Sequence, residues 1–393
     1  MGTINPGQPT GGSQPASPPL FRGGAGGLLV PLAAAIIVLF GVNRLSGIIG
    51  PLFLALVLTI CVHPLKAKLQ RRGIPPVAAT ALLVLTIYGI LVGLVAAIWV
   101  SLVQFVALVP QFEPQLTALR ADVRQMMLSL GVGSDQIALV VQALDFNALI
   151  GAAYTVVGGV LNIGSGLLLL LLLLYFMGID AMYFPRILSV VGRNRPHLVD
   201  ALGQFARLTR GFMGMTCVFG FIVAVLNGIL LTIVGVPGAF LWALLSFVTG
   251  FIPFIGYWIS MVPAAVMALL AGGWPALIVV LVFYSVINTA IQSILQPRFV
   301  GNSVNLNMTL TFLSVVFWTT VLGILGSLLA IPLTLLVRAF LVDAFPSSHW
   351  LQPVLGDVRQ AREMEKADYS RSKARRRAAK AGIPIGPGSP DGP

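Results

Sequence analysis

An all-α, polytopic membrane protein follows from three features of this chain. It is 57% hydrophobic and 9% charged over 393 residues, with a mean hydropathy of +0.95. Soluble domains carry about 25% charged residues, so this much apolar surface calls for lipid as solvent. Apolar runs of membrane-spanning length recur along the chain. In the second half, proline, glycine and amide side chains interrupt those runs, as in LLSFVTGFIPFIGYWISMVPAAV from Leu244. A simple anchor has no use for such breaks, because irregular backbone at membrane depth survives only where protein buries it or a wet cavity meets it. The expected architecture is roughly six full spans plus two broken or re-entrant helical hairpins, about eight to ten apolar segments in all.

Five regions follow. Residues 1–27, rich in Gly, Pro, Ser and Gln, predict a disordered N-terminal tail. Residues 28–110 hold the first three spans. Leu28–Phe40 and Ile48–Val62 are short apolar runs joined by Gly41–Gly47. A cationic stretch with Lys66, Lys68, Arg71 and Arg72 follows them. Val77 to about Val109 predicts a helix of some 50 Å, longer than a ~30 Å hydrocarbon core, which must tilt or project. Residues 111–150 predict an external amphipathic helical insert. Leu116, Leu119, Val123, Met126 and Leu130 step by three and four, and Ser134 and Asp145 stand where caps for two shorter helices belong. An interfacial collar and a surface helix covering its neighbours both fit. Residues 151–345 form the transport core with its broken helices, and 346–393 a basic cytoplasmic tail.

Within the core, Gly151, Thr155, Gly159 and Asn162 form a small-residue stripe suited to close helix approach. A basic loop, Ile179–Arg210, precedes an outward span Gly211–Val234. Ala239–Leu270 and Leu306–Phe340 each read as two apolar arms, around Gly250–Tyr257 and Leu322–Gly326. Pro275–Leu295 runs between them. Leu241–Pro263 and Leu310–Pro332 share a Leu-to-Pro interval, which reads as a weak inverted repeat.

Charge orients the chain. The formal net charge is +12. The loops at 63–76 and 179–210 and the tail are basic, with nine Lys/Arg against four acids in 357–380, whereas the 111–150 insert is acidic. Positive-inside bias then puts both termini in the cytoplasm, with anionic lipid headgroups as partners of the basic loops and tail. Nucleic acid is not an expected partner, because no nucleic-acid-binding module accompanies the charge.

The sequence offers no P-loop, no H-E-x-x-H and no G-x-S-x-G, so it is not expected to be an enzyme and calls for no cofactor. Cys61 and Cys217 lie in apolar runs, and His63, His197 and His349 are dispersed, so no metal site is expected. No Asp or Glu interrupts an apolar segment, which counts against a carboxylate proton relay. What remains is neutral polarity. Tyr284, Asn288, Gln292 and Gln296 recur every four residues on one helical face, beside Ser285, Thr289 and Ser293. Such a face suits either a path for a polar, uncharged solute or hydrogen bonding between helices. Asn227 on the outward span, and Thr249, Tyr257, Ser260, Thr319 and Thr320 on the broken arms, extend the candidate path. Pro253 and Gly256 free backbone carbonyls. Arg298 fits a cytoplasmic anchor or a contact with an anionic group.

These residues resemble the autoinducer-2 exporter (AI-2E) family of permeases. The resemblance rests on Pro253-Phe-Ile-Gly256, Pro263, Gln296-Pro297-Arg298 with Gly301, and Gly323, Gly326 and Pro332. A first span ending at His63-Pro64, a linker ending Arg72-Gly73 and a long third helix agree with it. It covers about residues 28–345 and departs from the family pattern at Asn307-Met308 and Trp318-Thr319-Thr320. It implies a multi-pass inner-membrane transporter and a homo-oligomer, in a family where some relatives are linked to signal-molecule export and others to sodium or proton antiport. With the polar face, the leading expectation is a secondary permease or exporter of a small polar solute such as a signalling molecule. A sodium (cation)/proton antiporter and a non-transporting membrane scaffold are the alternatives.

Overall fold

A computed structural model describes residues 25–131, 133, 136, 151, 166–181, 183–295 and 307–344. Every regular element among them is a helix, as expected. Five described helices are long and apolar enough to cross a membrane, or six if the bent pair Gly166–Asp180 and Phe184–Asn194 is one span. The protein is a multi-pass membrane protein. Of the predicted tails, residues 1–24 and 346–393 lie outside the described residues, as do the caps Ser134 and Asp145, Thr155 to Asn162 of the small-residue stripe, and Gln296, Pro297, Arg298 and Gly301; residues 25–27, expected to be disordered, begin a helix instead.

The chain falls into two units, residues 1–45 and 46–393. The first contributes α1 (Ala25–Arg44), a 20-residue apolar helix. The guanidinium of Arg44 lies 5.4 Å from the ring centre of Phe40. The second unit opens with α2 (Ser46–Arg71). The predicted Gly41–Gly47 linker is therefore helical on both sides of Leu45. A helical glycine costs only about 0.5–1 kcal/mol, and lipid offers a frayed backbone no other partner.

The span expected to end at His63-Pro64 also continues, to Arg71. Pro64 has no N–H to give the carbonyl four residues back, that of Ile60. The Arg210 side chain supplies the missing donor, Nε to Ile60 O at 3.2 Å. The predicted cationic stretch thus rides largely on helix rather than on a loop.

A turn with Gly73 at φ 87° leads to α3 (Pro76–Leu108), 33 residues long as predicted. A 3₁₀ turn, Val109–Phe112, joins it to α4 (Glu113–Ser129), the predicted amphipathic helix. Leu116 is buried and Leu119 partly buried against the main core, while Met126 and Leu130 are exposed. The first half of α4 covers the bundle and the second half projects from it.

Helix α5 (Gly166–Asp180) packs on α2 and α3 through Ala55, Leu170 and Leu174, and the Tyr88 hydroxyl donates to the Leu171 carbonyl. The chain then bends by 65° into α6 (Phe184–Asn194), which leads to α7 (Pro196–Val234), 39 residues long. The predicted basic loop Ile179–Arg210 is thus mostly helical. Its apolar residues Phe184, Ile187, Leu188 and Val191 follow a helical period. Pro185 and Pro196 sit in first turns, where a missing N–H costs no hydrogen bond.

Two broken hairpins complete the unit. The first joins α8 (Ala239–Thr249) to α9 (Gly256–Thr289) across Gly250–Ile255. At 11 residues, α8 spans about 16 Å, roughly half a hydrocarbon core, so α8 does not cross the membrane alone. The second joins α10 (Met308–Leu322), α11 (Ile324–Leu328) and α12 (Ala330–Arg338). Helix α9 kinks at Gly273 (φ 66°, ψ −162°) and loosens into a π-helical turn over Ala290–Leu295.

Pro263, one of the residues of the resemblance, lies inside α9. The first hairpin breaks at Gly250–Ile255, within the expected Gly250–Tyr257, and α9 kinks further on at Gly273, whose backbone angles only glycine tolerates well. Likewise Gly323 (φ 66°, ψ −145°) turns the second hairpin, while Gly326 and Pro332 sit within helices.

The main core gathers Leu102, Leu116, Leu231, Trp242, Met261 and Tyr284 from α3, α4, α7, α8 and α9. A smaller cluster of Ile252, Val315 and Ala330 packs the break of the first hairpin against both arms of the second.

Candidate functional site

A cavity of about 220 Å³ opens between α7, the break of the first hairpin and the end of α9. The break contributes Gly250, Ile252, Pro253 and Phe254. Its lining is otherwise apolar or neutral and polar: Thr216 from α7, Ser246 from α8, Tyr257 and Ser260 from the start of α9, and Asn288 and Gln292 from its end. Among the described residues, no Asp, Glu, Lys, Arg or His lines it.

Close backbone approach builds this wall. A Cβ on Gly256 would stand 1.8 Å from the Thr249 carbonyl oxygen. A Cβ on Gly250 would lie 3.2 Å from the Ser246 carbonyl and 3.7 Å from the Gly220 Cα on α7. Phe254 has φ 65°, the one non-glycine residue with positive φ among the described residues. A bulky side chain is rarely held there unless its surroundings fix it. Its ring makes an edge contact with Phe312 of α10, centres 6.4 Å apart, which ties the strained break to the second hairpin.

Behind the lining stands a buried hydrogen-bonded cluster. The Ser246 hydroxyl donates to the Trp242 carbonyl at 3.0 Å. Its single proton thus committed, Ser246 Oγ accepts from Tyr284 Oη at 2.7 Å and from Asn227 Nδ2 at 3.4 Å. Tyr284 and Asn227 are both 0% exposed, so both stand one layer behind the cavity. Asn288 Nδ2 donates to the Tyr284 carbonyl at 2.9 Å, and Gln292 Nε2 donates to Asn288 Oδ1 at 3.3 Å. The Tyr257 hydroxyl is 2.7 Å from Ser285 Oγ, joining the two halves of α9 across its kink.

The structure thus brings together Asn288, Gln292, Pro253 and Gly256 at the cavity, with Tyr284 and Asn227 supporting them. Pro263, Gly323, Gly326 and Pro332 do not line it. The Asn307 side chain caps α10, accepting from Leu310 N at 2.7 Å, and Trp318 Nε1 donates to Thr334 Oγ1 at 3.0 Å between arms. Both departures from the expected pattern therefore hold the second hairpin together. Ser246 and Thr216 escaped the sequence reading, because a lone hydroxyl in an apolar helix usually satisfies the carbonyl a turn back. The spacing of Ser246 and Thr249 on one short arm was the available signal.

The two hairpins repeat a device. A Cβ on Gly326 would stand 1.9 Å from the Trp318 carbonyl, as one on Gly256 would from that of Thr249. The offset that pairs Leu241 with Leu310 and Pro263 with Pro332 also pairs Thr249 with Trp318.

Comparison with known proteins agrees with this architecture. The profile of AI-2E family transporters matches residues 28–345. The chain belongs to the AI-2E transporter family. Among its relatives, YhhT of Escherichia coli (strain K12) is 28% identical over 312 residues, covering 78% of this chain and 88% of YhhT. The AI-2 transport protein TqsA of the same strain is 27% identical over 313 residues, covering 79% of this chain and 90% of TqsA. As an AI-2E family member with several spans, the protein is a membrane transporter, and both hairpins and the cavity lie within the matched region.

Proposed function

We propose that this AI-2E family transporter is a permease that exports a small, polar, uncharged solute through the cavity beside the first hairpin break. One observation carries the reading: a cavity of about 220 Å³, whose polar lining among the described residues is hydroxyls and amides without a charged side chain, sits where the backbone is broken. Amides and hydroxyls replace the water around a polyol or a similar neutral solute, hydrogen bond for hydrogen bond. An ion would instead need opposite charge or several converging carbonyls. The relative TqsA is named for AI-2 transport, which supports a signalling molecule as cargo.

In this proposal the protein sits in the inner membrane with both termini in the cytoplasm, and homo-oligomers are its working form. Asn288 and Gln292 touch the solute, while Tyr284 and Asn227 position Ser246.

The test is an Asn288→Leu, Gln292→Leu double variant. Leucine keeps the volume and removes the amides. Solute flux is expected to fall at least tenfold while expression and assembly stay at the parent level. Unchanged flux in the assembled double variant contradicts this path.

A further inference from the structure

A second, smaller pocket of about 40 Å³ lies between α2, α3 and α5, apart from the solute cavity. Lys66 lines it and is only 8% exposed, and its Nζ has no hydrogen-bond partner among the described residues. An ammonium withdrawn from water with no partner is costly, so the site is one counter-ion short. Thr59, His63 and Thr80 also line it. The other walls are apolar, including Leu83, Ile87 and Leu174. A cation at one end of an apolar slot matches an amphiphile with an anionic head.

Depth points the same way. Immediately after α5, the chain bends by 65° into α6. Phe184, Ile187, Leu188 and Val191 share one side of α6, Arg186 and Arg193 lie on the other, and none of its described residues is buried. That pattern belongs to a helix lying at the boundary of headgroups and acyl chains. Ala181, just before the bend, lines the pocket. On α2 and just beyond it, the exposed Lys68, Arg71 and Arg72 lie two to six residues past Lys66, at the same basic end of the helix. The pocket therefore lies near headgroup depth, in the leaflet facing the basic loops. By volume it holds about three waters, enough for the oxygens of a phosphodiester and too little for a whole solute.

We propose that the Lys66 pocket binds the phosphate of an anionic membrane phospholipid, with the apolar walls of α3 and α5 receiving the start of its acyl chain. The shared chemistry is a phosphate oxyanion, and a lipid rather than free phosphate is the source because seven of the eleven lining residues are apolar and frame a membrane-depth slot beside the Lys66 cation. The inference is independent of the solute path.

Native mass spectrometry of the full chain in detergent, titrated separately with phosphatidylglycerol, phosphatidylcholine and inorganic phosphate, tests it. The parent is expected to retain one phosphatidylglycerol per chain at concentrations where phosphatidylcholine is lost. Lys66→Met should weaken that retention at least tenfold, whereas Lys68→Met and Arg72→Gln, which change exposed cations, should not. Val84→Phe, which fills the slot and keeps the cation, should repeat the loss and covers the case of a poorly folded Lys66 variant. Equal retention by parent and Lys66→Met overturns the proposal. So does saturation by inorganic phosphate with no preference for the anionic lipid.

Discussion

Arg210 shows how one side chain repairs a defect that another creates. Pro64 removes the donor for the Ile60 carbonyl, and the Arg210 Nε donates to that oxygen. In lipid no water is at hand to do so. Arg210→Met is expected to destabilise the protein by about 1–3 kcal/mol, the cost of an unmet buried acceptor. Pro64→Ala restores the helical N–H, so Arg210→Met should cost much less in that background. A thermal-melt double-mutant cycle in detergent checks this, and additive losses would show that the two sites are uncoupled. At the cavity, Asn288 and Gln292 were readable from their four-residue spacing. Their division of labour with Tyr284 was not, because burial behind Ser246 depends on how α8 packs on α7 and α9. Lys66 was equally unreadable: beside Lys68, Arg71 and Arg72 it looks like part of a solvated charge run, and only the approach of α5 encloses it.

The kink of α9 and the turn of the second hairpin each depend on a glycine with backbone angles closed to other residues. Gly273 (φ 66°, ψ −162°) and Gly323 (φ 66°, ψ −145°) occupy a region open essentially to glycine alone. Each replaced by alanine should cost about 1–3 kcal/mol. Gly89→Ala in the middle of α3, where a Cβ meets nothing within 4 Å, should be neutral or stabilising by about 0.5–1 kcal/mol. Melting temperatures of the three purified variants separate these outcomes, and equal shifts would remove the special role of the breaks. The sequence placed the breaks within a few residues, since a glycine and proline cluster in an apolar run has few other uses. The sequence also carries Pro263 inside α9, and a proline inside a membrane helix is tolerated once neighbouring groups meet the carbonyl it frees. It also read Ile179–Arg210 as a loop, since charge outweighed the helical spacing of Phe184, Ile187, Leu188 and Val191.

Across the whole chain, composition alone was enough for a polytopic helical protein, and the long third helix followed from an unbroken run. Which helices meet was not legible: the packing of Ile252 on Val315 and Ala330, which joins the two hairpins, has no signature in one sequence. Orientation rests on charge. With Cys61 and Cys217 replaced by alanine, single cysteines at Arg72 and Asn194 should react with a membrane-impermeant thiol reagent only in inside-out vesicles. One at Ser129 should react only in right-side-out cells. The opposite pattern would invert the topology.

Flux through the purified protein bears on the neutral-solute path before anything else. Reconstituted into proteoliposomes, the parent chain should pass a radiolabelled, uncharged, sugar-derived signal molecule down its gradient, at a rate that imposed sodium or proton gradients leave unchanged. Sodium-for-proton exchange without movement of that solute would contradict the reading of an uncharged cavity and assign the protein to ion antiport.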